Sequence, residues 1–341
     1  MRYKLLGKSG VRVSELCLGT MTFGEDWGWG AAKPECEKIF RSFVDAGGNF
    51  IDTSCNYTNG TSEKFVGEFI ANDRDRFVVG TKYSLSMRGK DPNAGGNHRK
   101  NLIQSLNASL KRLRTDYVDL LWLHMWDYVT PIEEIMRAFD EVVREGKVRY
   151  VGISDTPAWV VARANAIAEL RGWTPFVSIQ VPYSLADRDV ERELIPMAQA
   201  TGLAVCAWAA LAQGLFTGKY TRGFEEDGVG RLSRPDWKPS EGSRNIAKQL
   251  DAIAKEAGLP SSHLALNWLR QQKGTVIPII GATKVSQMTA NLQCLNSRLT
   301  EEQMRQLNEI SKIDLGFPRG FLESDDVRSL IFGETFSLID K

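Results

Sequence analysis

The chain has 341 residues, of which 43% are hydrophobic and 25% are charged, as is usual for a globular protein. Its 43 basic and 42 acidic side chains leave a net charge of +1, which argues against a nucleic-acid-binding protein and against a polybasic membrane-binding patch. No apolar run approaches the roughly 20 residues that span a bilayer, and the first ten residues lack the apolar segment of a signal peptide. Five scattered cysteines without a CxxC pair indicate reduced thiols, so a cytoplasmic protein is expected.

The predicted elements begin with a hairpin of Tyr3–Leu6 and Val11–Val13, joined by a turn that contains Gly10. Eight apolar runs follow, rich in Val, Ile and Leu and without polar alternation, as is typical of parallel strands buried on both faces. These runs are Leu16–Gly19, Asn49–Asp52, Phe77–Lys82, Val118–His124, Tyr150–Ser154, Val177–Gln180, Ala204–Trp208 and Thr275–Ile280.

Segments with helical periodicity separate the runs. Asn101–Leu113 and Ile132–Val143 each carry an apolar stripe, and Gly146 is predicted to end the second of these helices. Eight strand–helix units in succession favour the α/β fold of a (β/α)8 TIM barrel, opened here by an N-terminal β-hairpin. A doubly wound sheet is the alternative, but no GxGxxG motif follows the first strand.

Three segments are longer than the repeat requires. Phe23–Pro34 follows the first barrel strand, Leu215–Gly242 follows the seventh, and a tail covers residues 315–341. No second fold signal accompanies them, so we expect one barrel domain over residues 1–341, with extended loops and the tail at the C-terminal face.

Polar side chains end four of the apolar runs. They are Asp52, Lys82, His124 and Gln180. Each of these side chains alone is more often a helix cap, a solvated strand end or a satisfied core residue. The carboxyl ends of barrel strands meet at one face, however, and an aliphatic interior has no general use for an Asp, a Lys and a His at matching heights. We therefore predict an active site at this face.

Tyr57 follows Asp52 by five residues and completes a chemically sensible set. A neighbouring lysine ammonium stabilises phenolate and lowers a phenol pKa that is ordinarily about 10. Asp52 can keep that lysine charged, and His124 can donate a hydrogen bond to a carbonyl oxygen on which negative charge develops. The set suits hydride addition to a carbonyl group, with Tyr57 as general acid.

Other chemistry is disfavoured by the inventory of side chains. The three histidines, His98, His124 and His263, lack metal-ligand spacing, so no metal site is expected. Cys55 has no second histidine at a strand end to activate it, which argues against a nucleophilic thiol.

Ordered sequence blocks over nearly the whole chain resemble the aldo-keto reductase superfamily, in its aryl-alcohol dehydrogenase and potassium-channel β-subunit branch. The blocks are LGTMTFG (18–24), FIDTSCNY (50–57), VVGTK (78–82), DLLWLH (119–124), YVGISD (150–155), SIQVPYS (178–184), AWAALAQGLFTGKY (207–220) and IIGATKVSQMTANL (279–292). The resemblance implies an NADPH-dependent carbonyl reductase that binds its extended cofactor without a Rossmann fold, with NADH less favoured.

The resemblance also assigns roles to individual residues. It implies that Asp52, Tyr57, Lys82 and His124 are catalytic. It places Ser154 and Gln180 at the cofactor carboxamide, Trp208 against the nicotinamide ring, Leu211–Lys219 over the pyrophosphate and Lys284 at the 2′-phosphate. The full set of implied cofactor-binding residues is Thr20, Met21, Asp52, Ser154, Asp155, Gln180, Trp208, Ala209, Leu211, Gly214, Gly218, Lys219, Gly281, Thr283, Lys284, Gln287 and Asn291.

Two positions depart from the family pattern. Asp155 stands where the family usually has Asn, and an ionised carboxylate cannot donate to the carboxamide oxygen. Thr283 stands where many relatives have a basic residue, which leaves Lys284 as the candidate partner of the 2′-phosphate.

The substrate is expected to be a small apolar or aromatic aldehyde or ketone. Candidate pocket residues come from the loops and the tail: Trp27, Trp29, Met87, Trp126, Tyr128, Phe317 and Phe321. The strand residue Trp122 is expected to pack outside the barrel. A nicotinamide-nucleotide-sensing regulatory subunit is the alternative function, because channel β subunits share this barrel. An exposed loop tryptophan can equally mark a contact between subunits, so a homo-oligomer is a further possibility.

Overall fold

The computed structural model describes residues 1–218 and 238–339. Eight parallel strands close into a barrel in sequence order, and the last strand pairs with the first. They are β3 (Cys17–Gly19), β4 (Phe50–Asp52), β5 (Val78–Tyr83), β6 (Val118–Leu123), β7 (Val148–Ser154), β8 (Phe176–Pro182), β9 (Ala204–Trp208) and β10 (Val276–Ile280). Each overlaps a predicted run, and the bounds differ by at most two residues. The predicted (β/α)8 barrel is therefore confirmed.

Helices surround the barrel. They are α1 (Lys33–Asp45), α2 (Thr61–Ile70), α3 (Arg99–Leu113), α4 (Ile132–Arg144), α5 (Ala158–Arg171), α6 (Leu194–Thr201), α7 (Glu241–Ala257), α8 (Ser261–Arg270), α9 (Val285–Leu292), α10 (Glu301–Ile310), α11 (Arg319–Leu322) and α12 (Asp325–Phe332). Gly146 follows α4 with a φ of +74°, as predicted for the residue beyond a helix end. Among the residues described, no helix combines the length and the apolar character needed to cross a membrane.

The amino-terminal hairpin, β1 (Tyr3–Leu5) and β2 (Arg12–Ser14), covers the amino end of the barrel. Its apolar residues Leu6 and Val13 belong to the cluster that fills the barrel interior. Lys4 Nζ also donates to the carbonyl oxygen of Val276, where β10 begins, at 2.6 Å. The hairpin thus closes this end and leaves the carboxyl ends of the strands for the site.

Trp122 fills the barrel interior, so the expectation that it packs outside was wrong. Side chains alternate between the two faces of a strand, so Trp122 must share the inward face of β6 with Leu120 and His124. Two glycines on the neighbouring strands make room for the indole. A Cβ on Gly152 would lie 2.4 Å from Trp122 Cε3, and a Cβ on Gly80 would lie 2.9 Å from Trp122 Nε1.

The tail approaches the loop that follows β8. Arg192 Nε donates to the carbonyl oxygen of Asp314 at 3.1 Å, and the Arg319 guanidinium donates to the carbonyl oxygen of Glu191. Residues 22–31 follow β3 at the carboxyl end of the barrel, whereas most of the long segment predicted after β9 lies outside the described residues.

The contact between Gly152 and Trp122 generates a stability prediction. Gly152→Ala is expected to destabilise the protein by about 1–3 kcal/mol, since the added methyl overpacks a filled interior. Urea unfolding measures the change. Gly242→Ala is the matched control, because its site in α7 has room for a Cβ and alanine favours a helix by up to about 1 kcal/mol.

The double variant Gly152→Ala, Trp122→Leu should lose less free energy of unfolding than the two single variants lose together, because the smaller side chain leaves room for the added methyl group. Wild-type stability of Gly152→Ala would contradict this account of the barrel interior.

Candidate active site

The centre of the site is a buried ammonium group with three acceptors. Lys82, at the end of β5, is fully buried, and its Nζ donates to Asp52 Oδ2 at 2.5 Å, to the carbonyl oxygen of Thr53 at 2.8 Å and to Tyr57 Oη at 3.0 Å. We call Asp52, Lys82 and Tyr57 the Lys82 cluster. Three donors meeting three oxygens satisfy the hydrogen-bonding capacity of an ammonium group.

Burial and charge act in opposite directions on Lys82. Burial alone lowers its pKa, but the Asp52 carboxylate and the Tyr57 oxygen raise it, and the net pKa lies above the ordinary value. Lys82 is therefore charged at neutral pH. Asp52 is itself held from a second side, because Gln180 Nε2 donates to its Oδ1 at 2.9 Å.

His124 follows β6 at the same level of the barrel. Its ring centroid lies 6.1 Å from that of Tyr57, in an edge-to-face arrangement. Burial, together with the positive charge of Lys82, lowers its pKa to about 3, so the imidazole is neutral at physiological pH. Ser54 Oγ lies 3.3 Å from His124 Nδ1 and 2.7 Å from Asn56 Oδ1. Ser54 donates its single proton to Asn56 Oδ1, so its oxygen can accept from His124 Nδ1–H; an imidazole proton on Nε2 requires the hydroxyl to turn to Nδ1.

Tyr57 begins a tight turn, Tyr57–Gly60, that leads into α2. Thr58 and Asn59 have φ values of +44° and +54°, and Gly60 has +90°. Two non-glycine residues in succession in the left-handed region are uncommon, and a β-branched residue there is an outlier. The tyrosine therefore stands at the start of a strained segment.

The site opens between aromatic rings contributed by the loop after β3. Trp27 lies edge-to-face on Tyr57, with ring centroids 6.4 Å apart, and Trp29 lies 5.6 Å from Trp27. In the loop after β6, the half-buried Trp126 contacts the largely exposed Tyr128 at a centroid distance of 6.3 Å. A flat, apolar surface of the loop after β3 therefore lies against the Tyr57 ring.

Other predicted pocket residues lie elsewhere. Met87 lines a separate cavity of about 500 Å³ against α3, with Cys55 and Arg112, and neither Tyr57 nor His124 lines it. Phe317 and Phe321 pair with each other in the tail and are 84% and 56% exposed. The described structure thus places Trp27 beside Tyr57, with Trp29 against Trp27.

Ser154, Asp155 and Trp208 come together at the ends of β7 and β9. Asp155 Oδ1 accepts from Trp208 Nε1 at 3.1 Å, and its backbone N–H donates to the carbonyl oxygen of Gln180 at 3.2 Å. Asp155 has a φ of +42°, a conformation that Asp and Asn tolerate better than most residues. Burial raises its pKa above the ordinary range. The departure at this position therefore fixes the orientation of the Trp208 indole.

The loop after β9 follows a tightly wound path. Ala209, Ala212, Gln213, Gly214 and Gly218 all have positive φ values, from +45° to +101°. The Ala212 and Gly214 N–H groups donate within the loop, to the carbonyl oxygens of Ala209 and Leu211 at 2.7 and 2.9 Å. Lys219, also predicted here, lies outside the described residues.

The amino terminus of α9 already holds an anionic group. The Val285 N–H donates to Glu35 Oε1 at 2.7 Å, and this bond, together with the charges of Lys38 and Lys284, lowers the pKa of Glu35. Gln287 Oε1 caps the same helix end by accepting from the Thr283 and Lys284 N–H groups at 2.9 and 3.3 Å. Gly281 and Lys284 are exposed, whereas Asn291 is buried.

The remaining predicted positions are partly engaged within the protein. Thr20 is buried, and its hydroxyl donates to the carbonyl oxygen of Asp52 at 3.0 Å, whereas Met21 and Leu211 are half-buried. Gln180, predicted at the carboxamide, donates to Asp52 Oδ1 through its Nε2.

Sequence reasoning missed Ser54, although it shares the strand parity of Asp52. It also missed the carbonyl of Thr53, for which no side-chain signal exists.

The donor set fits a nicotinamide dinucleotide. Buried hydroxyl and amide groups lie at the strand ends at Ser154 and Gln180, and the Trp208 indole offers a flat face beside them. The amino terminus of α9, which binds the Glu35 carboxylate, is a position that accepts an anion.

Comparison with known proteins agrees with this geometry. The sequence model of the Aldo/keto reductase family matches residues 15–312. The norsolorinic acid reductase of Aspergillus flavus is 39% identical over 330 residues, which cover 93% of this chain and 83% of that protein. An aryl-alcohol dehydrogenase of Pestalotiopsis microspora is 40% identical over 331 residues, covering 94% of this chain and 85% of the relative. The aryl-alcohol dehydrogenase (NADP(+)) of Phanerodontia chrysosporium is 39% identical over 328 residues, with 91% and 85% covered. The chain belongs to the Aldo/keto reductase family, whose members use nicotinamide cofactors, and is an oxidoreductase.

Proposed function

We propose that the protein reduces apolar or aromatic aldehydes and ketones to alcohols with NADPH, and that Tyr57 donates the proton. The observation that carries this proposal is the Lys82 cluster, in which one ammonium group contacts both a buried carboxylate and the phenol oxygen. The family supports carbonyl reduction in general. The cofactor, the acid and the substrate class are inferred from the site.

The Lys82 cluster is suited to release a proton from Tyr57 Oη. Lys82 donates to that oxygen, so the phenol's own proton can point to a substrate oxygen. When the proton leaves, phenolate forms 3.0 Å from a charged ammonium and is stabilised by it. Asp52 keeps Lys82 charged and oriented throughout.

His124 assists as a neutral hydrogen-bond donor. Its low pKa makes imidazolium an unsuitable proton source near pH 7. When the Ser54 hydroxyl turns from Asn56 Oδ1 to His124 Nδ1, the imidazole proton lies on Nε2, and this N–H would stabilise the substrate oxygen as negative charge develops there. Proton transfer is then assigned to Tyr57 alone.

The ends of β7, β8 and β9 and the loop after β9 would hold the cofactor in an extended form. Ser154 and Gln180 would bind the carboxamide, Trp208 would contact the nicotinamide ring, and the loop that contains Gly214 would cover the pyrophosphate. The bound nicotinamide would supply the hydride for the carbonyl carbon. Asp155 acts through Trp208, since its carboxylate already accepts the indole N–H.

Lys284 supports NADPH rather than NADH. It is exposed at the α9 terminus, next to an N–H group that already binds a carboxylate. The helix amino terminus and the lysine charge would favour a phosphate here once it displaces the Glu35 carboxylate from the Val285 N–H. The name of the Phanerodontia chrysosporium relative includes NADP(+), which agrees with this preference.

An aromatic substrate is favoured by the rings around Tyr57. Trp29, Trp27, Tyr57 and His124 form a continuous row with centroid distances of 5.6, 6.4 and 6.1 Å. Flat carbonyl compounds can stack or pack edge-on against such rings while their oxygen reaches the phenol. The names of the relatives, aryl-alcohol dehydrogenase and norsolorinic acid reductase, point the same way.

Tyr57→Phe tests the acid. We expect kcat for reduction of an aromatic aldehyde to fall roughly 10²–10⁴-fold, because general-acid catalysis is lost. NADPH should still quench tryptophan fluorescence, over the same range of NADPH concentration as in the wild type. Tyr3→Phe is the matched control, since this hydroxyl lies at the opposite end of the barrel. Undiminished turnover by Tyr57→Phe would remove Tyr57 from the proton-donor role.

The pH profile tests the assignment of His124. Because its pKa lies near 3, His124 stays neutral from pH 5 to pH 7, and kcat/KM for reduction should be flat across that interval. An ordinary histidine would titrate near 6.5. A limb near pH 6.5 that His124→Gln abolishes would contradict the account.

Lys284→Ala tests the cofactor preference. A hydrogen bond to a charged group contributes about 1.5–3 kcal/mol, so Kd for NADPH should rise roughly 10–100-fold. Kd for NADH should change little, because NADH lacks the 2′-phosphate. Lys147→Ala, at the amino end of β7, is the matched control. Equal weakening of both cofactors by Lys284→Ala would assign this lysine to another contact.

A further inference from the structure

The strained turn that follows Tyr57 contacts the loop that carries Trp27, and these contacts hold that loop in place. Residues 22–31 form a loop closed by two backbone hydrogen bonds, from Ala31 N to the Thr22 oxygen at 2.8 Å and from Gly24 N to the Ala31 oxygen at 3.0 Å. We call this segment the Trp loop, because it carries Trp27 and Trp29. It lies directly against the Tyr57–Gly60 turn.

Thr58 joins the turn to the Trp loop through its hydroxyl. The side chain is fully buried, and Oγ1 donates to the carbonyl oxygen of Phe23 at 2.6 Å. The same oxygen accepts from the Ser62 N–H in the first turn of α2 at 3.1 Å. One hydroxyl thus connects the loop, the turn and the helix.

The backbone of the Trp loop approaches this hydroxyl closely. A Cβ on Gly24 would lie 2.8 Å from Thr58 Oγ1 and 3.0 Å from Thr58 Cβ. Farther along the loop, Trp27 Nε1 donates to Asn59 Oδ1 at 3.3 Å. Two successive residues of the turn therefore hold the loop at two points.

The conformation of Thr58 requires these contacts. A β-branched residue at a φ of +44° is held only where the surroundings over-determine it, and such strain is concentrated at functional sites. Tyr57 immediately precedes Thr58, so the direction of the turn decides where the phenol oxygen meets Lys82. Trp27, which the turn also fixes, packs edge-to-face on the Tyr57 ring.

We propose that Thr58 is a positioning residue whose hydroxyl sets the Tyr57 phenol on Lys82 and fixes the Trp27 wall against it at the same time. The proton donor and the aromatic wall are then placed by one side chain. This inference rests on the proposed role of Tyr57, and it adds a residue that touches neither Lys82 nor the phenol oxygen.

Three substitutions separate the hydroxyl from the strain. Thr58→Val keeps the branched shape and removes the hydroxyl, Thr58→Gly removes the hydroxyl and the strain, and Thr58→Ser keeps the hydroxyl. Thr61→Val is the matched control, because it removes a hydroxyl three residues away that does not bind Phe23. Thr58→Gly also provides the informative variant if Thr58→Val does not fold.

The expected result is a fall in kcat of roughly 100-fold for Thr58→Val and Thr58→Gly, since a displacement of about 1 Å can have that effect. Kd for NADPH should stay near the wild-type value. In the cofactor-free protein, the indole ¹H–¹⁵N resonance of Trp27, assigned by its loss in Trp27→Phe, should shift in both variants. Thr58→Ser and Thr61→Val should keep the wild-type kcat and resonance.

Wild-type kcat and an unshifted Trp27 resonance in Thr58→Gly would overturn the inference, because the hydroxyl would then position neither group. Tyr57→Phe, measured in parallel, distinguishes this outcome from failure of the proposed function. If Tyr57→Phe retains full activity, the proposed acid is wrong. An unshifted Trp27 resonance in Thr58→Gly then also rejects Thr58 as the residue that fixes the wall.

Discussion

The site depends on keeping one lysine charged inside the barrel. Lys82 is fully buried, and a buried ammonium without a partner would cost several kcal/mol. Asp52 is the compensating charge, and Gln180 holds its second oxygen, so three barrel strands, β4, β5 and β8, converge on one ion pair. The phenol of Tyr57 takes the third donor position of the ammonium. The geometry that stabilises the buried charge is therefore the same geometry that prepares the proposed proton donor.

The packed interior below the cluster sets the height at which these groups meet. Trp122 occupies the barrel beneath His124 because Gly80 and Gly152 leave space for its ring, and the hairpin closes the amino end. A polar layer can form only above this apolar filling. Loops of unequal length surround this polar layer. In this protein they include the Trp loop and the strained turn after Tyr57.

Much of this arrangement could be predicted from the sequence. Apolar runs identified the strands, and the polar residues that end them identified the Lys82 cluster, because parallel strands in a barrel must bring their carboxyl ends together. Trp122 was expected outside the barrel, although residues two apart on a strand face the same side and it must therefore face inward with His124. Contacts between distant segments, such as Glu35 with the α9 terminus and Thr58 with Phe23, leave no local pattern and became visible only in three dimensions.

The most direct test of the charged lysine is a single-turnover measurement on Lys82→Met. Stopped-flow oxidation of bound NADPH by an aromatic aldehyde would be compared with the wild type, and tryptophan quenching would verify that the cofactor binds. Lys82→Met leaves the Asp52 carboxylate buried without its counter-charge, which destabilises the fold. The double variant Asp52→Asn, Lys82→Met removes that charge and is measured alongside. The account predicts that both variants bind NADPH and lose rapid reduction. Reduction at the wild-type rate in either variant would show that the buried ammonium does not prepare the proton donor.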